Sequence, residues 1–241
     1  MKFSITLSIL IFTIMAACGQ KEYEHDLINA QGGDIELWFI GHGTLMFKYL
    51  ETVIHIDPVS LEGDYKNLPD ADIVLITHSH GDHLDPRAIG MITRENTVVI
   101  CNPSSSGDLI NPVIMNNGDK RDISGIIVEA VPAYNIEHKR PSGETYHPKG
   151  DGNGYILTLG GKRIYVAGDT EHIPEMKTVG KVDIAFLPMN LPYTMDPEMA
   201  AEAARSIMPG ILYPYHFGSS DTGKLVELVE GTGIEVRVRK L

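Results

Sequence analysis

The sequence predicts an α/β protein in which two β-sheets pack face to face and helices cover their outer sides. Three observations lead there. Extended runs of β-branched and aliphatic residues fall into two groups, separated by a polar stretch at 102–120, with helical segments interleaved. Several of these runs, Ile73–Ile76 above all, are apolar throughout, as strands covered on both faces are. Three runs give way at once to histidine or aspartate, and in helix-covered sheets ligand sites gather at that C-terminal edge. A chain of 241 residues is long enough for one large domain with a sizeable core.

The chain opens with a segment outside that domain. Lys2 is followed by a short apolar run to Met15 and then Ala16-Ala17-Cys18-Gly19, small residues directly before a cysteine. The run is shorter than the roughly 20 apolar residues of a spanning helix. Residues 1–17 therefore read as a lipoprotein-type signal peptide; an uncleaved anchor and a plain secretory signal are the other readings. Residues 18–33 read as a polar tether, and residues 34–241 as the domain. On this reading the protein is exported and lipid-anchored through Cys18 in a bacterial cell envelope, on the periplasmic or surface side, and is secreted if Cys18 carries no lipid. Cys101 is the only other cysteine, so a disulfide framework is not expected. The net charge of −12 argues against nucleic-acid binding through a basic surface.

Within the domain, residues 34–39 form the first expected strand, and Gly41-His42-Gly43-Thr44 turns the chain into a second at 45–49. Another run at 52–56 ends at Asp57-Pro58, and its His55 faces a strand interior. After Ile73–Ile76, Asp85-Pro86 reads as an N-cap followed by proline at the first helical position, with a helix to about Thr93. Residues 97–101 are a buried strand, and 102–120 are loop with one helical turn. A strand at 125–131 leads to Pro132-Ala133-Tyr134-Asn135 and a long excursion to Gly154, and loops of that length in a compact domain are usually functional. Runs at 155–159 and 163–167 make a hairpin across Gly160-Gly161 and deliver Gly168-Asp169-Thr170. A strand at 182–188, a helix from Asp196 to Pro209, a strand at 211–215 ending in His216, a helix at 222–230 and a strand at 234–239 close the chain.

Thr77-His78-Ser79-His80-Gly81-Asp82-His83 is the densest chemical signal. His78 and His80 can turn toward one point, and Gly81 relaxes the backbone so that Asp82 and His83 aim at a second point. Three imidazoles and a carboxylate within six residues make a donor set that zinc, manganese or iron accepts.

His78-x-His80-x-Asp82-His83 resembles the signature of the metallo-β-lactamase-fold superfamily, and the resemblance runs from about Asp34 to the C-terminus. The chain looks closest to the stand-alone metal-dependent hydrolases, the branch that includes the ascorbate-phosphate lactonases and the phospholipase D acting on N-acyl phosphatidylethanolamine. The resemblance implies a four-layer αββα sandwich of two mixed sheets. It also implies two divalent ions, zinc first, with manganese or iron as alternatives. Gly168-Asp169-Thr170 and Tyr215-His216-Phe217-Gly218 match later motifs, so Asp169 is expected to bridge the ions and His216 to complete the second beside Asp82 and His83. The first ion needs a third imidazole besides His78 and His80. Some relatives place it after Pro-Ala, where this chain has Tyr134-Asn135. His147 is the preferred replacement, His138 the weaker one, and an incomplete or mononuclear site the third reading. Asp57 is expected to accept from a ligand imidazole and Asn135 to lie at the pocket, while His42 either lines the pocket or is only a structural turn histidine. Lys139, Arg140 and Lys149 form a basic cluster in an acidic chain that could meet a substrate phosphate or carboxylate.

The implied function is a dinuclear hydrolase acting on an ester, lactone or phosphodiester, with water activated between the ions and aimed by the catalytic carboxylate Asp82. The alternatives are a mononuclear iron-dependent dioxygenase on the same fold and a non-catalytic binding lipoprotein. Diiron flavoprotein relatives carry Glu where this chain has His80, which argues against that version. The expected partner is a small-molecule or lipid substrate, with no nucleic acid and with the membrane reached only through a lipid on Cys18.

Overall fold

The computed structural model describes residues 21–241, so the expected signal peptide and Cys18 lie outside the described residues. Two seven-stranded sheets make up the body. The first runs in sequence order: β1 (Glu24–Ile28), β2 (Ile35–Gly41), β3 (Thr44–Tyr49), β4 (Thr52–Ile56), β5 (Ile73–Ile76), β6 (Val98–Cys101) and β7 (Val113–Ile114). The second holds β8 (Lys120–Ile123), β9 (Ile126–Ala133), β10 (Gly152–Leu159), β11 (Lys162–Val166), β12 (Ile184–Pro188), β13 (Ile211–Tyr215) and β14 (Glu235–Val236). Each sheet begins as an antiparallel meander of four strands and continues as parallel strands. Both sheets are therefore mixed, as expected.

Strand alternation builds the layers. Ile73 and Leu75 of β5 join the central core between the sheets, with Phe39, Phe47, Tyr155, Phe186 and Tyr213. Val74 and Ile76 face outward against Ala88, Ile89 and Ile92 of helix α1 (Pro86–Ile92). Both faces of β5 are thus apolar because both are covered. On the other side, Ala185 and Leu187 of β12 pack with Ala200, Ala201, Ala203 and Ala204 of helix α2 (Pro197–Ile207), and with Leu225 of helix α3 (Thr222–Leu228). The alanines let α2 lie close to its sheet. Asp85, Asp196 and Asp221 cap the three helices with side-chain hydrogen bonds.

The structure departs from the sequence reading at several element boundaries. Glu24–Ile28, read as tether, is an edge strand in full register with β2. Only Ile28 in it is buried, so its pattern carries little hydrophobic signal. The 102–120 stretch holds a 3₁₀ turn at Pro103–Asp108, as expected, but also β7. The last strand is cut to Glu235–Val236.

Candidate metal centre

The expected donors, His138 apart, arrive at one edge of the sandwich from a strand end, a turn or a loop. β4 delivers Asp57, β5 delivers His78 to His83, β11 leads through Gly168 to Asp169, and β13 ends at His216. His147 comes from the β9–β10 excursion and His42 from the β2–β3 turn. Backbone geometry holds these positions tightly. Gly168 has φ +68°, and a Cβ there would stand 2.8 Å from Asn153 O. A Cβ on Gly43 would stand 2.8 Å from His83 Cε1, so only glycine lets that turn approach the cluster.

Three groups result, the first two sharing His78: His78 with His80 and His147; His78 with His83 and Asp169; His42 with Asp82 and His216. His78 Nε2 lies 3.1 Å from His80 Nδ1 and 3.9 Å from Asp169 Oδ2. Asp169 Oδ2 is 3.3 Å from His147 Nε2 and 3.6 Å from His216 Nε2, and its Oδ1 is 3.5 Å from His83 Nε2. Asp82 Oδ2 lies 3.4 Å from His42 Nε2, 3.6 Å from His216 Nε2 and 3.9 Å from His83 Nε2. Two donors each about 2.0–2.1 Å from a tetrahedral zinc sit roughly 3.3 Å apart, so these separations suit a shared cation.

Three imidazoles are turned inward by what holds their other nitrogen. Thr77 Oγ1 is 3.0 Å from His78 Nδ1, Asp57 Oδ2 accepts from His83 Nδ1–H at 2.8 Å, and Asn135 Oδ1 accepts from His147 Nδ1–H at 2.6 Å. Such partners fix tautomer and ring orientation in metal sites. The inward atoms His83 Nε2, His147 Nε2, His216 Nε2 and Asp169 Oδ1 are buried and have no hydrogen-bond partner. Buried polar atoms are nearly always satisfied, and three orphaned imidazole nitrogens converging on a carboxylate with an orphaned oxygen of its own are what a bound cation satisfies. The donor set therefore fits a divalent metal.

The electrostatics agree. Burial would raise the Asp169 carboxyl, yet His216 and His83 hold it well below the usual carboxylate range. Burial would likewise raise Asp82, and His216 and His42 hold it low. Burial, with His83 next, pushes His78 well below an ordinary histidine, whereas His83 is held high against its burial by Asp169 and Asp57. Two anionic aspartates, Asp169 buried and Asp82 half exposed, thus draw positive charge to the cluster, and protons and metal compete for the same nitrogens.

Several expectations need correcting. His138, the weaker candidate for the third imidazole, gives its Nδ1 to Glu171 at 2.7 Å and belongs to none of the three groups. The basic cluster is split. Lys149 pairs with Glu175 at 2.7 Å and with the Tyr134 hydroxyl, and Lys139 contributes a backbone bridge to Thr145. Arg140 alone reaches the site, 3.4 Å from His80 Nε2 and over the Tyr146 ring. His55 is packed, as expected, with Nε2 on Pro69 O. Sequence reasoning missed Thr77, Glu171, and the Tyr146–Tyr193 pair, whose rings meet edge to face at 5.0 Å. Glu171 stands two residues after Asp169, which is the only signal that could have pointed to it.

The model of a beta-lactamase superfamily domain matches residues 36–216. The chain belongs to that superfamily. It is 30% identical over 216 residues to a UPF0173 metal-dependent hydrolase of Nanoarchaeum equitans, covering 85% of this chain and 96% of that one, and so belongs among these metal-dependent hydrolases. A crystal structure described as a metal-dependent hydrolase from Parabacteroides distasonis superposes with a TM-score of 0.87 at 46% identity, covering 91% of this chain and all (100%) of that one. The metallo hydrolase Igni18 of Ignicoccus hospitalis gives a TM-score of 0.69 at 26% identity, over 86% of this chain and 95% of that one. The expected superfamily and its layered fold are borne out.

Proposed function

We propose that this superfamily member is a dinuclear hydrolase of an ester, lactone or phosphodiester. His78, His80 and His147 would hold one divalent ion, Asp82, His83 and His216 the other, and Asp169 both. Zinc is the first choice, and manganese and iron suit the same donors. The observation that carries this reading is the convergence of His83 Nε2, His147 Nε2, His216 Nε2 and Asp169 Oδ1, all buried and unpartnered. When bound, such ions supply positive charge that acidifies water and polarises a scissile oxygen.

The chain's own groups do the rest. Asp82 is about half exposed (52%), so it can accept a hydrogen bond from an attacking water and aim it. His42 packs against His216 with ring centroids 3.8 Å apart and the planes tilted by 39°, and its Nε2, 3.4 Å from Asp82, can pass the proton on toward solvent. Asp57 and Thr77 keep His83 and His78 oriented without touching substrate. Arg140, beside His80, can meet an anionic oxygen, and Tyr146 with Tyr193 can wall an apolar arm of the substrate. The signal-like residues 1–17 and Cys18 support an exported, lipid-anchored enzyme acting outside the cytoplasm.

Metal content of anaerobically purified protein, followed by a panel of chromogenic phosphodiesters, esters and lactones, tests this. Two ions per chain with hydrolysis is the expected result. One tightly held iron with oxygen uptake and no hydrolysis would overturn it in favour of the oxygenase.

A further inference from the structure

His147 sits on a loop, and a loop imidazole has two tautomers and a free ring flip. Its presentation of Nε2 to the cluster therefore needs a cause outside the ring. That cause can be traced through two buried side chains. Glu171 is fully buried, and its carboxylate is a hub for the start of the β9–β10 excursion. Its Oε2 accepts from the Ile136 and Glu137 N–H groups at 2.6 and 2.7 Å. Its Oε1 accepts from His138 N–H and His138 Nδ1–H, both at 2.7 Å, and from Asn135 Nδ2 at 3.0 Å. The other hydrogen of the Asn135 amide goes to Tyr193 O at 2.9 Å. A carboxylate and a carbonyl can only accept, so the amide nitrogen must face them and the amide oxygen must face His147. With that oxygen 2.6 Å away, His147 Nδ1 must carry the hydrogen, and Nε2 is left bare, 3.3 Å from Asp169 Oδ2.

We propose that Glu171 is a positioning residue for the metal centre, fixing the Asn135 amide and through it the His147 tautomer that offers a bare Nε2. The proposal rests on the assignment of His147 as a metal ligand. It makes one counterintuitive prediction. A carboxylate beside a ligand imidazole ordinarily strengthens metal binding, yet here Asn135→Asp would set an acceptor against Glu171 Oε1 and Tyr193 O with no hydrogen between them. Asn135→Asp should therefore weaken zinc binding at least tenfold. Glu171→Gln alone should also weaken it, by about ten- to a hundredfold, the range for such outer partners. In the Asn135→Asp background the same Glu171→Gln change should instead recover part of the affinity, because the new amide at position 171 can donate to the new carboxylate at position 135, although it then opposes the His138 N–H and leaves Tyr193 O unanswered.

Zinc affinity of the full chain, read by chelator competition across this double-mutant cycle, tests the sign reversal. Losses that merely add, or an Asn135→Asp protein binding zinc as tightly as the wild type, overturn the proposal. A second readout does not depend on Glu171 variants folding: ¹⁵N shifts of His147 in metal-free protein should show the Nδ1–H tautomer in the wild type and a mixture in Asn135→Ala. An unchanged single tautomer in Asn135→Ala also overturns it. His147→Ala separates the two claims, since retention of two full-affinity ions there would remove His147 from the ligand set rather than Glu171 from the relay.

Discussion

Asp57 offers the sharpest test of how the first sheet supports the site. The side chain is fully buried and receives three hydrogen bonds: Thr77 N–H on Oδ1 at 2.8 Å, then Thr77 Oγ1–H at 2.6 Å and His83 Nδ1–H at 2.8 Å on Oδ2. Asp57→Ala strands these donors in a dry interior. At about 1–3 kcal/mol for a buried donor left unmade, and allowing Thr77 Oγ1 to turn elsewhere, the two remaining donors should cost roughly 2–6 kcal/mol. That is a large share of a typical stability of about 5–15 kcal/mol. Asp57 also has φ 45°, a region asparagine tolerates better than alanine. Asp57→Asn should behave differently. Its oxygen must stay on the Thr77 N–H, which cannot move, so its NH₂ faces His83 Nδ1. The imidazole answers by shifting its hydrogen to Nε2, the atom aimed at the cluster. Stability should fall by only about 1–2 kcal/mol, while metal affinity should fall about ten- to a hundredfold. Urea unfolding of metal-free protein reads the first quantity and chelator competition the second. Wild-type affinity in Asp57→Asn, or a loss below about 1 kcal/mol in Asp57→Ala, would refute the reasoning.

Three further outcomes are expected. Burial lowers the His55 imidazole to about 4, so between its ordinary value near 6.5 and about 4 the unfolded chain binds a proton that the folded one refuses. Stability contributed there is complete above about pH 6.5 and falls as pH drops toward 4, by about 3 kcal/mol at most, and His55→Gln should flatten that window in urea midpoints measured against pH. Arg140→Gln should lower the preference for phosphodiester monoanions over neutral esters about tenfold, roughly the weight of one charge-assisted contact; an equal effect on both substrate types would show that the guanidinium only supports the loop. Because metal binds the folded state, chelation should lower the melting temperature, and zinc at a thousandfold excess over its dissociation constant should return about 4 kcal/mol; a melting curve indifferent to chelator would contradict the site.

Much of this was legible in the residues. Ile73–Ile76 could only be a strand covered on both sides, and His78 to His83 follow it with no room to be elsewhere than its end. Asp169 and His216 announced themselves the same way, each after an apolar run. What stayed hidden depends on partners distant in the chain. The Asn135 amide becomes meaningful only when Glu171 and Tyr193 fold against it, and Lys149 looks like a free cation until Glu175 is placed beside it. β1 was unreadable for another reason: an edge strand with one buried residue has almost no hydrophobic period to detect.

That edge strand has a consequence for the topology of residues 24–240. Asp26 receives Arg239 at 2.8 Å, Arg237 at 3.3 Å and the Tyr213 hydroxyl, and Glu24 accepts from the Lys240 N–H at 2.9 Å. Residues 24–26 and 237–240 are thus neighbours, and the backbone between them is nearly a closed ring. A short covalent bridge there, with new ends opened at the exposed Ser124-Gly125 turn, would send β9 to β14 out of the ribosome before β1 to β8 and turn the β8–β9 hairpin into a pairing of the two new ends.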